Sequence, residues 1–150
     1  VVSYVCEKEG KDPKTVVNEL NKKSGYLGVS GLSNDSRDLT EAAKAGNKDA
    51  KLALTIQEKR IADYIGSYYV YLEGFDAMVF TAGIGENAAE FRENVCERLK
   101  VLGVKIDKQL NADRGHPFRI STPDSKIDVW VIPTDEELVI ARDTVRILKI

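Results

Sequence analysis

A short apolar run followed at once by two glycines constrains the fold more than any other part of the chain. Residues 77–82 read AMVFTA and residues 83–88 read GIGENA. The apolar run predicts a buried strand, and a helix is predicted from Asn87 onward. Glycines at such a junction let the backbone approach a ligand closely, and a helix N-terminus favours an anion such as phosphate. The same glycines would also suit a tight turn that needs only positive φ, so both interpretations stay open.

Helical and strand patterns alternate along the chain, which indicates an α/β fold. Asp12 before Pro13 is typical of a helix start, and that helix is predicted to reach about Lys23. Residues 24–37 are rich in Gly, Ser and Asn and predict a long loop. The other predicted elements are a helix opened by Asp38 and Glu41 that ends before Gly46, a helix over 47–72, a helix from Asn87 that ends before Gly103, strands over 104–106, 118–121 and 129–132, and a helix from Thr134.

Three of these helices carry apolar residues at helical spacing. The stripes are Leu54, Ile61, Ile65, Tyr68 and Leu72 in the long helix, Phe91, Val95 and Leu99 in the next, and Leu138, Ala141, Val145 and Leu148 in the last. Tyr64, Tyr68 and Tyr69 are predicted to lie in the core or at an interface. Cys96, beside the second stripe, is predicted to be an inert, partly buried thiol.

Composition excludes several classes of protein. Lys plus Arg number 22 and Asp plus Glu 24, for a net charge of −2, which argues against nucleic-acid binding and against a polybasic membrane patch. No apolar stretch is long enough for a membrane span. Two cysteines form no disulfide framework, so a cytoplasmic protein with reduced thiols is expected. The first residue is Val rather than Met, which suggests a chain cut from a longer protein.

Two capping interpretations affect candidate site residues. Asn87 with Glu90 forms a possible capping box, and Thr134 with Glu137 forms another. The second box accounts for Glu137 and leaves Glu136 free at the end of a strand, a typical place for ligand chemistry in α/β sheets. Acidic residues in a first helical turn also simply complement the helix dipole.

A dinucleotide-binding oxidoreductase is one alternative. Gly83-x-Gly85-x-x-Ala88 fits the loose G-x-G-x-x-G/A pattern, and Asp107 follows a predicted strand, where an acidic ribose ligand belongs. Two observations weaken this NAD-binding interpretation. More than 70 residues precede the glycines, and a polar segment follows Asp107 where a βαβ unit should continue.

Four motifs, in order, resemble those of the acetate kinase family. They are SGYLGVSGLSNDSRD over 24–38, TAGIGEN over 81–87, STPDSK over 121–126 and IPTDEEL over 132–138, where Asp135 replaces the usual Asn. The resemblance covers essentially the whole chain. It implies the C-terminal part of a duplicated, ribonuclease-H-like ATPase fold of the actin and hexokinase type. Residues 1–150 would then form a single nucleotide-binding domain that lacks the N-terminal domain and part of the sheet.

The resemblance also implies an activity and the partners of that activity. The family transfers phosphate between ATP and a short-chain carboxylate, giving acyl phosphate and ADP with Mg²⁺, and it forms homodimers. Its catalytic arginine and histidines would lie upstream, so this chain alone is expected to be inactive. His116 matches none of them and is predicted to be a surface residue. A dimerisation fragment without activity of its own is a second alternative.

Residue roles follow from the same resemblance. Asp35, Ser36 and Arg37 would lie on the adenosine side of the nucleotide site, with Ser36 contributing backbone. A surface ion pair beside a helix cap is the plainer interpretation of Asp35 and Arg37. The residues that would line the same site are Gly83, Ile84, Gly85, Glu86 and Asn87. Glu136 would be the Mg²⁺ ligand, a role that suits a hard carboxylate oxygen.

Overall fold

The computed structural model describes residues 1–149, apart from the side chain of Glu136. The chain forms two compact units, Val1–Arg60 and Ile61–Ile150. Within the described residues, no helix combines the length and the apolar character needed to cross a membrane.

Eight α-helices and three strands are described. In chain order they are α1 Val2–Glu9, α2 Pro13–Lys23, α3 Gly25–Ser30, α4 Ser36–Lys44, α5 Lys48–Tyr71, β1 Ala77–Phe80, α6 Ala82–Asn87, α7 Ala89–Arg98, β2 Phe118–Arg119, β3 Asp128–Val131 and α8 Glu136–Leu148. Two short 3₁₀ helices, Lys100–Leu102 and Leu110–Ala112, lie between α7 and β2.

Local caps explain the starts of α2 and α5. The Asp12 carboxylate accepts hydrogen bonds from the N–H groups of Lys14 and Thr15, which confirms the predicted start of α2. Asn47 accepts from the N–H groups of Asp49 and Ala50 at the start of α5, also as predicted. The unit packs around a small buried cluster formed by Leu39, Ala50 and Ala53.

The predicted loop over 24–37 is wrong in part, because it contains α3. Gly31 closes this helix in the left-handed conformation, and its N–H bonds the carbonyl of Leu27. Tyr26 packs against the buried cluster of this unit and donates a hydrogen bond to Gln57. This packing orders a segment whose composition is typical of a loop.

The second unit is built on a three-stranded sheet in the order β1-β3-β2. β1 runs parallel to β3, with Phe80 opposite Val131, and β2 runs antiparallel to β3. The chain between β1 and β3 includes α6 and α7, so the observed architecture is mixed α/β. β2 and β3 lie within the predicted strands over 118–121 and 129–132 or overlap them, and the turn between them is closed where the N–H of Ser125 bonds the carbonyl of Thr122.

The predicted strand over 104–106 is reduced to a single antiparallel bridge between Ile106 and Ser121. β1 lies at one edge of the sheet and is less buried than predicted, since Val79 is 51% exposed. An apolar run does not distinguish an edge strand from a central one.

The core of the second unit confirms the apolar face of α7. Val95 and Leu99 are buried, and Phe91 packs edge-on against Phe80. The buried cluster consists of Phe80, Val95, Cys96, Leu99, Val104, Phe118, Ile120, Ile127, Val129 and Val131. Cys96 is fully rather than partly buried, and burial raises the pKa of its thiol to about 12.

The apolar stripe of the long helix is exposed at its C-terminal end. Tyr68 is 59% and Leu72 63% exposed. Ile61 and Ile65 of the stripe do contact the core of the second unit, together with Ala62 and Tyr69. Tyr69 is held edge-on against Phe75, so its neighbour Tyr68 points to a different side of the helix.

Candidate functional site

The glycine segment after β1 is helical, not an open turn. α6 begins at Ala82, and Gly83 and Gly85 lie inside it. Neither glycine has a positive φ; the left-handed residue at this junction is Ala82, at φ 57°. The interpretation that the glycines supply positive φ is therefore wrong. The presence of glycine rather than a larger residue at these two positions has another cause.

The two glycines differ in their surroundings. A Cβ on Gly85 would lie 3.2 Å from the carbonyl carbon of Phe80 and 3.4 Å from the Phe80 Cβ. Gly85 is therefore needed for close packing of α6 on the end of β1. Apart from its chain neighbours and the backbone of its own helix, no atom of the described residues lies within 4 Å of a Cβ built on Gly83, so the described packing does not require a glycine there.

Asn87 is the last residue of α6, and the predicted capping box with Glu90 is wrong. The side-chain amide of Asn87 donates to the carbonyl of Gly83, 2.9 Å away. α7 begins two residues later, at Ala89, with Ala88 as its N-cap and no side-chain cap bond. The side chain of Asn87 thus stabilises the helix that it ends rather than the one that follows.

A buried arginine that sequence analysis missed holds the C-terminal end of α6. Arg92 is 1% exposed, and its guanidinium donates to the carbonyls of Gly85 and Glu86, both at 2.8 Å. It also donates to the side chain and the carbonyl of Asn111. Burial lowers the pKa of Arg92. Its spacing from Val95, Cys96 and Leu99, at +3, +4 and +7, places it on the apolar face of α7, and this signal was available in the sequence.

Glu86 joins the glycine segment to the start of α8. Its Oε1 accepts from the backbone N–H of Thr134 at 2.9 Å and from the Thr134 hydroxyl at 3.0 Å. These hydrogen bonds hold the pKa of Glu86 below its usual range, the backbone bond having the larger effect. Two of the predicted motifs, 48 residues apart in sequence, are thus brought together.

The predicted capping box of Thr134 and Glu137 is wrong. The N-cap of α8 is Asp135, whose Oδ1 accepts from the N–H of Leu138 at 2.8 Å. Thr134 does not cap the helix because its hydroxyl bonds Glu86.

Several residues with oxygen atoms that could bind a metal ion follow the C-terminal ends of the parallel strands β1 and β3. Glu86, Thr134 and Asp135 follow these strands, and Glu136 begins α8. The side chain of Glu136, the predicted metal ligand, lies outside the described residues. Among the residues described, no group of three or more His, Cys, Asp or Glu side chains could hold a metal ion. Carboxylate oxygens are nevertheless the donors that Mg²⁺ prefers, and Mg²⁺ commonly takes one or two carboxylates together with phosphate oxygens and water.

Asp35 and Arg37 lie at the start of α4, where the predicted cap Asp38 is wrong. Asp35 is the N-cap and accepts from the Arg37 N–H, while the Arg37 guanidinium pairs with the same carboxylate at 2.5 Å. Asp38 instead accepts from the Ser33 hydroxyl. Ser36 is half-buried, and its carbonyl accepts from Thr40. The predicted ion pair between Asp35 and Arg37 is therefore present beside the helix cap. The Arg37 side chain is nevertheless 87% exposed.

Acid is expected to weaken the first unit partly through Asp35. Hydrogen bonds from the Arg37 side chain and backbone lower the pKa of Asp35 from 3.8 to about 2. A carboxylate whose pKa is depressed by folding stabilises the fold above its unfolded pKa, and that contribution disappears as pH falls from about 4 to about 2. Asp35→Asn keeps a capping oxygen but cannot titrate. Thermal unfolding between pH 2 and 6 should therefore show a shallower acid slope for Asp35→Asn than for the wild type; equal slopes would contradict this role.

The predicted nucleotide residues fall in two places. Asp35, Ser36 and Arg37 belong to the first unit, and residues 83–87 with Glu136 belong to the second. Within the second unit, the structure brings the glycine segment to Thr134 through Glu86. His116 is exposed, as predicted, and contacts Asp113.

Comparisons with a family model, with known sequences and with solved structures all identify the same kind of protein. The chain matches the model of the acetokinase family over residues 1–142. The acetate kinase of Acholeplasma laidlawii is 59% identical over 147 residues, which are 98% of this chain and 37% of that protein. The crystal structure of Porphyromonas gingivalis acetate kinase superposes with a TM-score of 0.86 at 44% identity, covering 98% of this chain and 37% of that one. A propionate kinase from Francisella tularensis superposes with a TM-score of 0.83 at 41% identity, covering 93% and 35%. The chain thus spans little more than a third of the length of these proteins.

These matches and the local geometry overturn the NAD-binding alternative. Asp107, the expected ribose ligand, accepts from the N–H groups of Gln109 and Leu110, so its carboxylate is engaged by the backbone that leads into the second 3₁₀ helix. The segment before it pairs antiparallel to Ser121, whereas a dinucleotide-binding unit would continue with a parallel strand. The glycines themselves lie within a helix rather than in the turn before one.

Proposed function

Because this chain belongs to the acetokinase family, we propose that it is the C-terminal, adenosine- and Mg²⁺-binding part of a cytoplasmic acetate kinase. The whole enzyme would transfer phosphate between ATP and acetate, giving acetyl phosphate and ADP. The chain would form a single nucleotide-binding domain in the second half of the duplicated, ribonuclease-H-like fold. Gly83 carries this proposal best, because the fold leaves open space where its side chain would be.

The glycine segment would face the nucleotide. Without a side chain at Gly83, a ligand can approach the backbone of α6 closely. Ile84 is half-buried and would present apolar surface to the adenine or ribose. Gly85 and Asn87 would line the same site by keeping α6 in place. Gly85 allows the close packing of α6 on Phe80, and the Asn87 side-chain amide donates to the carbonyl of Gly83.

Asp35, Ser36 and Arg37 would form the adenosine side. The Asp35 carboxylate has oxygens suited to ribose hydroxyl groups, and it already fixes the Arg37 guanidinium at its base. A planar guanidinium can stack on adenine or pair with a polar edge of the ring. The Ser36 side chain is small and half-buried, so its backbone would make the contact.

Glu136 would hold Mg²⁺ where β1 and β3 end. When bound, the metal would neutralise phosphate charge and fix the orientation of the phosphate chain. Phosphoryl transfer depends chiefly on positioning and electrostatics, so residues elsewhere in the whole protein would supply the acyl site and stabilise the transferred group. The chain by itself would therefore bind nucleotide without turning over.

A homodimer is also part of this proposal. The C-terminal end of α5 exposes apolar side chains, and α8 exposes several more. Those at the end of α5 and just after it include Tyr68, Val70, Tyr71 and Leu72. Apolar surface of this kind is typical of an interface with another chain.

The proposal is tested by calorimetric titration of the chain with ADP, with and without Mg²⁺. We expect ADP to bind in both conditions. Mg²⁺ should strengthen the affinity about tenfold, which corresponds to about 1.4 kcal/mol of binding free energy. Glu136→Ala should abolish the Mg²⁺-dependent gain and keep the metal-free affinity.

Glu137→Ala is the matched control. Glu137 is the next residue on α8 and is exposed, so its removal should leave both affinities unchanged. A wild-type chain that does not bind ADP in either condition would contradict the proposed function. An equal loss in Glu136→Ala and Glu137→Ala would contradict the assignment of the metal ligand.

A further inference from the structure

We propose that Glu86 is a positioning residue: its carboxylate fixes the start of α8 against α6 and thereby links Mg²⁺ binding to nucleotide binding. This inference rests on the proposed function. The family resemblance places Glu86 among the nucleotide-lining residues, whereas the structure directs its carboxylate to Thr134.

The contact restrains both the backbone and the side chain of Thr134. The N–H and the hydroxyl of Thr134 converge on the same oxygen, Glu86 Oε1, at 2.9 and 3.0 Å. Hydrogen bonds to an ionised acceptor are stronger than those between neutral groups. Two donors from one residue also restrict rotation of that residue, so the chain between β3 and α8 is held in one orientation.

Glu86 is itself held from the other side. Arg92 donates to its backbone carbonyl and to that of Gly85, and Arg92 is almost completely buried. The carboxylate of Glu86 is therefore attached to a rigid end of α6. A group fixed in this way can transmit position from one segment to another.

The segment fixed by Glu86 lies directly before the proposed metal ligand. β3 ends at Val131, the N–H of Ile132 bonds the carbonyl of Phe80 at 3.0 Å, and α8 begins at Glu136. Among the described contacts, the bond from Thr134, two residues before Glu136, is the one that joins this stretch of chain to the glycine segment. Without that attachment the start of α8 could move relative to α6, while the surface of α6 that faces the nucleotide would keep its shape.

The experiment compares Glu86→Ala with Glu86→Gln, since glutamine retains an oxygen that can accept from Thr134. ADP affinity is measured by calorimetry with and without Mg²⁺, and exchange of the Thr134 amide proton is followed by NMR. Glu86→Ala should lose most of the Mg²⁺-dependent gain, about tenfold, and keep the metal-free ADP affinity within about twofold. Its Thr134 amide should exchange faster, and Glu86→Gln should restore much of both properties.

The outcomes separate this inference from the proposed function. A wild-type chain that does not bind ADP would overturn the proposed function, and this inference with it. Wild-type binding with a normal Mg²⁺ gain that persists in Glu86→Ala would overturn the positioning role alone. A loss of metal-free ADP affinity in both Glu86→Ala and Glu86→Gln would show that the carboxylate binds nucleotide, which also overturns the positioning role. Thr134→Val should reproduce part of the Glu86→Ala effect, because it removes the hydroxyl donor and keeps the N–H.

Discussion

Replacement of Arg92 by methionine is expected to destabilise the fold by about 3–5 kcal/mol, because several hydrogen-bond acceptors would lose their donor at once. Methionine fills a similar length but donates no hydrogen bond. The carbonyls of Gly85, Glu86 and Asn111 would lose the donor that satisfies them inside the fold, and each such loss costs about 1–3 kcal/mol. Urea denaturation followed by fluorescence of Trp130, the one tryptophan in the chain and part of β3, measures the change.

Two further variants test the cause of this loss. Arg92→Lys keeps the charge but not the planar array of donors, so it should recover only part of the stability. Arg142→Met removes an exposed arginine from α8 and should change the free energy of unfolding by less than about 0.5 kcal/mol. An Arg92→Met variant as stable as Arg142→Met would show that the buried hydrogen bonds contribute little.

Two helix starts were predictable from a single candidate cap, whereas the start of α7 was not, because Asn87 ends α6 instead. Asp12 before Pro13 and Asn47 before the long helix both form the expected bonds. Prediction was wrong where two candidate caps lay close together, because local rules do not rank them. At α8 the choice is made by a distant group: Thr134 bonds Glu86, and Asp135 caps the helix instead.

Burial was harder to predict than periodicity. The apolar stripe of α5 includes Tyr68 and Leu72, but both are mostly exposed, and Tyr69 packs inward. The apolar residues of β1 are also less buried than their pattern suggests, because β1 is an edge strand with a neighbouring strand on one side only. Periodicity identifies an apolar face, whereas contacts between distant segments decide how much of that face is covered.

The candidate site shows the same division between local and distant information. The order of the four motifs was enough to predict the family, and the matches confirm it. The roles of individual side chains were not evident from those motifs. Arg92 lies outside all of them, and the Glu86 carboxylate is used by a residue 48 positions away. The nucleotide and metal roles of the predicted residues remain predictions.

Gly83→Ala is expected to leave the fold intact and to reduce ADP affinity about tenfold or more. No atom of the described residues outside its own helix lies close enough to oppose a Cβ at this position, and alanine in a helix is favoured over glycine by about 1 kcal/mol. The variant should therefore be as stable as the wild type or more stable. If a ligand lies against the backbone of α6, the added methyl group occupies the space that the ligand needs. Calorimetry with ADP and urea denaturation of the same preparation measure the two effects separately.

Gly85→Ala, two residues along the same helix, is the contrasting variant. Its Cβ would lie 3.2 Å from backbone of Phe80, so α6 must shift from the end of β1, and overpacking of this kind costs about 1–3 kcal/mol. Gly85→Ala should thus lose stability, with any loss of affinity following from the shift of the helix. Gly83→Ala should lose affinity alone, because only its side chain would point into open space. Undiminished ADP affinity in Gly83→Ala would mean that the open space beside this glycine is not where the nucleotide binds, and the proposed function would lose the structural observation that best supports it.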